Sequence, residues 1–181
     1  MGLFELIERW ASLRNLVAMI FASFIVVMIM GMLTQTWVYA IYGEVTMPDT
    51  RLAYSINEIT DAFNTLGQEG LNVWAQAHML DFLFPLTYMF AMAFGVNLEL
   101  RKLYPENLNA RKLVLIPLLG GIADYVENIL ILTQIAAYPN LTEGVIIFAS
   151  GITTLKWVLL GLGFVIIFAL IVLAIYRKLQ S

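Results

Sequence analysis

Cysteine is absent from the 181 residues, which excludes disulfides, thiolate metal sites, iron–sulfur clusters and a thiol nucleophile. Histidine occurs once, so neither a paired-histidine haem site nor a zinc-protease helix is possible. Charge is also scarce: 13% of residues carry it, against about 25% in soluble domains. The formal net charge of −3 leaves no basic surface for nucleic acid. No phosphate-binding glycine loop or nucleophile elbow occurs either, since Gly120-Gly121 falls inside an apolar run. What fills the chain is hydrophobic side chain, at 61%.

The apolar residues gather into four runs, 16–40, 74–96, 113–138 and 145–176. Each is long enough to cross about 30 Å of hydrocarbon at about 1.5 Å per helical residue. Backbone groups in lipid must be satisfied within their own segment, and no alternating pattern suggests a barrel. The expected fold is all-α: a polytopic four-transmembrane-helix bundle forming one membrane domain over 1–181. Around the spans lie an interfacial inner helix (1–15), an outer loop with a short amphipathic helix (41–73), an inner loop (97–112), an outer turn (139–144) and an inner tail (177–181). The first run exceeds the roughly 7 to 15 apolar residues of a secretory signal and is expected to be retained as a span.

Basic residues set the orientation. Arg9, Arg14, Arg101, Lys102, Arg111, Lys112, Arg177 and Lys178 all fall at one end of the spans, against Arg51 alone in the long loop. Both termini are therefore expected in the cytoplasm, with the protein in a bacterial-type inner or plasma membrane. Glu44, Asp49, Glu58, Asp61 and Glu69 then make the outer face acidic.

Two segments outside the spans have helical patterning. Leu3, Phe4, Ile7, Trp10 and Leu13 repeat at helical spacing, which suits a helix lying in the inner interface. Ser55-Ile56-Asn57-Glu58 matches a capping box, Ile56, Ile59, Phe63 and Leu66 share a face, and Gly67 is placed to stop that helix. It is expected either to rest in the headgroup region or to cover a site.

Ionisable residues inside the spans are the informative ones, because each costs about 2.5 to 3.5 kcal/mol at a helix centre. The second span holds His78 and Asp81, the third Asp124 and Glu127, and the fourth Lys156. Their depths overlap at roughly 10 to 20 Å from the outer boundary. Spacing of three puts each acidic pair on one face, with Asn128 a turn from Asp124. Ser150, Thr153 and Thr154 lie at similar depth near Lys156, and Tyr88 lies two turns below Asp81. Gly120, Gly121, Ala123 and Gly151 would let helices approach closely. Pro85 lacks the donor that would bond the Asp81 carbonyl, so the second helix should kink there and free that oxygen.

Full ionisation would leave −3 from the acids against +1 from Lys156, which requires a shared proton, a cation, a protonated His78 or a cationic ligand. Three readings compete. In one, the pocket binds and can transform a small amphiphile or lipid, with Asp81, Asp124, Glu127 and Lys156 as catalytic groups and His78, Tyr88, Asn128, Ser150, Thr153 and Thr154 as ligand-binding ones. In the second, the cluster only sets packing in an accessory subunit, with a second copy or another membrane subunit as partner. In the third, it passes protons or cations, although the inner halves of the third and fourth spans are apolar. His78, Asp81, Asp124 and Glu127 form a conceivable four-ligand metal set, but the sequence requires no cofactor.

The stretches His78-Met79-Leu80-Asp81-Phe82-Leu83-Phe84-Pro85-Leu86-Thr87-Tyr88 and Ala123-Asp124-Tyr125-Val126-Glu127-Asn128, with Leu66-Gly67-Gln68-Glu69-Gly70 upstream, resemble prokaryotic four-helix integral membrane proteins with no assigned function. The resemblance covers about positions 60 to 140. It implies the same four-span fold and carries over no reaction.

Overall fold

The computed structural model describes residues 3–45 and 47–180, apart from the side chains of Leu3 and Asp49. Expectations that rest on Leu3 in the first amphipathic stripe and on Asp49 in the acidic face lie outside the described residues. Among the described residues the chain is helical with no strand. Helix α1 is Leu3–Trp10, α2 is Leu13–Leu33, α3 is Ile56–His78, α4 is Leu83–Leu103, α5 is Leu115–Ala137 and α6 is Glu143–Leu179. Four stretches are long and apolar enough to cross a membrane: Leu13–Tyr42, Ile56–Leu103, Leu108–Ala137 and Glu143–Leu179.

Local chemistry sets several boundaries. Ser12 caps α2 by accepting the Asn15 N–H at 3.2 Å, which separates α1 from the first long helix. Consequently Leu13 belongs to α2, and one continuous stripe from Leu3 to Leu13 does not form. Ile7 is fully buried against α4 while Trp10 and Leu13 are exposed. Past Leu33 the first long helix widens into a π-helical turn, Thr34–Tyr39, before ending at Gly43 with φ 82°.

The capping box forms as the sequence indicates: Ser55 Oγ accepts the Glu58 N–H at 3.3 Å, and Glu58 accepts the Ser55 N–H at 2.8 Å. Gly67 interrupts α3 with φ 59° and ψ −176°, a conformation open essentially to glycine. The chain then re-enters helix at once and stays helical to His78, so the second apolar run is preceded by helix where loop was expected. The 56–66 segment does not merely rest at a surface. Ile59, Phe63 and Leu66 are buried against Trp74, Ile131, Ile135 and Ile146 and close one end of the bundle.

Small residues bring α5 close to its neighbours. A Cβ on Gly121 would lie 2.8 Å from the Met89 Cβ of α4, and one on Gly120 would lie 3.3 Å from Leu160 of α6. Gly151, expected to act in the same way, has nothing within 4 Å of its would-be Cβ, because its face of α6 points away from the bundle.

At the end carrying both termini, arginines tie the elements together. Arg111 pairs with Glu8 at 3.2 Å and also donates to the Pro105 carbonyl. Arg177 donates to Leu103 O at 2.7 Å, at the C-terminus of α4, and lies 4.9 Å from the Tyr104 ring centre. Within the 97–112 stretch α4 continues to Leu103 and a short helix forms at Leu108–Arg111. The core consists of two hydrophobic clusters, one at the loop end around Phe63, Trp74 and Ile131 and one at the terminus end around Ile7, Val96 and Leu118. Between them lie the buried ionisable residues His78, Asp81, Asp124, Glu127 and Lys156.

Candidate functional site

His78 is the last residue of α3, and Asp81 sits in a 3-10 turn, Met79–Phe82, that joins α3 to α4. Pro85 is the third residue of α4 and has no N–H to offer the Asp81 carbonyl. Asn128 Nδ2 donates to that carbonyl at 3.2 Å, and the Tyr125 hydroxyl donates to Phe82 O at 2.8 Å. The break between α3 and α4 is therefore held by two side chains of α5. This brings His78 Nδ1 within 3.9 Å of Asp81 Oδ2, with the imidazole edge-on to Trp74 at 5.9 Å.

Across from this turn, Lys156 of α6 bridges two acids of α5. Its Nζ is 2.5 Å from Glu127 Oε2 and 3.3 Å from Asp124 Oδ1, and all three side chains are buried. Tyr88 of α4 donates its hydroxyl to Asp124 Oδ2 at 2.7 Å. On the far side, Thr153 Oγ1 is 2.6 Å from Glu127 Oε1 and 3.3 Å from the Tyr54 hydroxyl. A single chain of contacts thus runs from Tyr88 through Asp124, Lys156 and Glu127 to Thr153, and so from α4 across α5 to α6. In a low-dielectric interior such satisfied networks fix helix register and hold each charge in place.

Beside this network lies a cavity of about 850 Å³. His78, Asp81, Tyr88, Asp124 and Lys156 line it, together with Trp74 and Trp157. Its remaining wall is largely apolar and includes Ile20 and Val27 of α2, Met92 of α4, and Leu160 and Phe164 of α6. Ile20 and Phe164 are more than half exposed, so the cavity opens sideways between α2 and α6. At the loop end it reaches Thr34, Gln35, Met47 and Thr50.

The residues singled out from the sequence divide between the cavity wall and the contacts beside it. Glu127 does not reach the cavity; it stands behind Lys156, fully buried, as counter-charge. Asn128 is spent on the Asp81 carbonyl. Ser150, Thr153 and Thr154 face the segment at 52–54: Ser150 Oγ accepts the Tyr54 N–H at 2.9 Å, and Thr154 Oγ1 donates to Leu52 O at 2.8 Å. They strap the connection between the first long helix and α3 to α6. The part of that connection nearest the cavity is Met47 and Thr50, and the 56–66 helix does not cover it. Among the described residues no three of His, Asp and Glu converge as metal ligands. The four-residue metal set fails because the Lys156 ammonium occupies the place between Asp124 and Glu127.

The contribution of the first long helix was missed. Ile20, Ser23, Val27, Gly31 and Thr34 line the cavity at intervals of three and four, so one face of α2 and of the turn that follows it is turned to the hollow. That stripe is readable in the sequence, although nothing in it is charged. Gln35 and Tyr39 reach the cavity from the π-helical turn. Family models, curated proteins and solved structures were all compared with this chain, and none matches.

Proposed function

We propose that the protein is a four-span bundle of a bacterial-type inner membrane with both termini cytoplasmic, and that it binds a small amphiphile or lipid in the cavity between α2 and α6. The headgroup sits against Asp81, Asp124, Tyr88 and His78, while the chain lies along Ile20, Val27, Met92, Leu160 and Phe164. The observation that carries this reading is the cavity itself: ionisable groups at one wall, a largely apolar lining elsewhere, open toward the lipid-facing side, and of a size suited to ligands, which typically fill about 300 to 1,000 Å³. The clustering of basic residues at the terminus end supports the orientation. If the bound molecule is also a substrate, Asp81 or Asp124 is the group placed to move a proton and Lys156 the fixed positive charge beside it.

The competing view, a purely structural cluster in an accessory subunit, draws support from the closed contacts among Lys156, Glu127 and Thr153. Conduction has less support, because Val96, Leu100, Val114 and Leu118 pack the core toward the terminus end. The deciding experiment is mass spectrometry of lipids that co-purify in a neutral detergent. A single species held by the wild type and lost from Val27→Trp, which puts an indole into the path of the bound chain, supports binding. Only bulk membrane lipids in both proteins would leave the structural reading in its place.

A further inference from the structure

Among the described residues the buried acids and bases are Asp81, Asp124 and Glu127 against Lys156 and His78. Even with His78 protonated, two positive groups face three negative ones, and burial makes any such surplus costly. The ammonium of Lys156 is already bracketed by two carboxylates, at 2.5 and 3.3 Å, so it is poorly placed to receive an anion. Rings line the same cavity as Asp81 and Asp124: Trp74, Trp157, Phe84 and Tyr88, with Tyr39 reaching it from the π-helical turn. One of these rings already faces a cation, since Lys156 Nζ is 5.5 Å from the Trp157 ring centre. Carboxylates and aromatic faces around one hollow are the combination that recognises ammonium groups.

From this we propose that the amphiphile is cationic, a long-chain amine or quaternary ammonium whose head neutralises the acidic surplus and lies among these rings. The proposal rests on the amphiphile reading above and adds the sign of the headgroup. It requires no covalent step.

The test compares three probes that share one alkyl chain, dodecyltrimethylammonium, dodecanol and dodecyl phosphate, each added below its micellar concentration to the full chain in a neutral maltoside detergent. Binding is read by native mass spectrometry and by the fluorescence of the cavity tryptophans. The ammonium should bind at least about tenfold more tightly than the alcohol, and the phosphate more weakly than either. Asp81→Asn should abolish the preference for the cation while leaving the alcohol bound. Should that variant fail to fold, Trp157→Leu, at a half-exposed position, should weaken the ammonium and spare the alcohol. Equal binding of all three probes, or a preference for the phosphate, overturns the cationic headgroup and leaves the amphiphile reading standing. Binding of none of them removes both.

Discussion

Replacing Lys156 with methionine tests the reasoning about the polar layer most directly, because the substitution leaves an unbranched side chain only one atom shorter and removes the charge together with its N–H donors. In the wild type one ammonium serves Glu127 at 2.5 Å and Asp124 at 3.3 Å, with all three side chains within 5% exposure. Removing it leaves two neighbouring carboxylates in a low-dielectric core, and breaking a buried pair from one side costs about 3–5 kcal/mol. Glu127→Gln alone keeps a balanced Lys156–Asp124 pair and loses less, on the order of 1–2 kcal/mol. Combining Lys156→Met with Glu127→Gln removes one of the two stranded charges, so the double variant should be more stable than Lys156→Met alone by roughly 2 kcal/mol. The assay is reversible unfolding in mixed micelles of increasing dodecyl sulfate fraction, followed by far-ultraviolet circular dichroism. The argument fails if Lys156→Met unfolds within about 0.5 kcal/mol of wild type, or if the second substitution makes matters worse.

Other outcomes follow from individual contacts. Gly121→Ala should destabilise by about 1–3 kcal/mol, because the new methyl meets the Met89 Cβ, whereas Gly151→Ala should stay within about 0.5 kcal/mol; equal effects in the same unfolding assay would refute the close approach of α4 and α5. Gly67→Ala should cost about 1–3 kcal/mol through backbone strain alone, since space around it is open, and an unchanged stability would mean that the break in α3 is not fixed. The absence of native cysteine permits single-cysteine mapping: Asp61→Cys in intact cells should react with a membrane-impermeant maleimide, and Asn109→Cys only after permeabilisation. The reverse pattern would invert the proposed orientation.

Particular residues show where the sequence was legible. Pro85 announced both a break in the second apolar run and an unsatisfied Asp81 carbonyl, because a missing N–H is a covalent fact; the partner that takes up that carbonyl, Asn128, lies on another helix. Ser55, Glu58 and Gly67 likewise act through neighbours within a few residues, so their roles could be read locally. Ser150, Thr153 and Thr154 could not be assigned in this way. Their hydroxyls lie at the depth of the acids, yet they bond to Leu52, Tyr54 and Glu127, the first two about 100 residues away in sequence.

Local chemistry and composition determined that the chain is helical, that four stretches are apolar and long enough to span a bilayer, and which ionisable groups burial would force together. Rotation of each helix about its own axis was decided only by packing. That rotation placed Asp81, Asp124 and Lys156 on the wall of a cavity and turned Glu127 behind them. It also gave one uncharged face of α2 to the opposite side of the same hollow. The reason is geometric: residues three or four apart share a face whatever lies opposite, whereas the identity of the opposing face depends on contacts such as Gly121 on Met89, which join segments far apart in the chain.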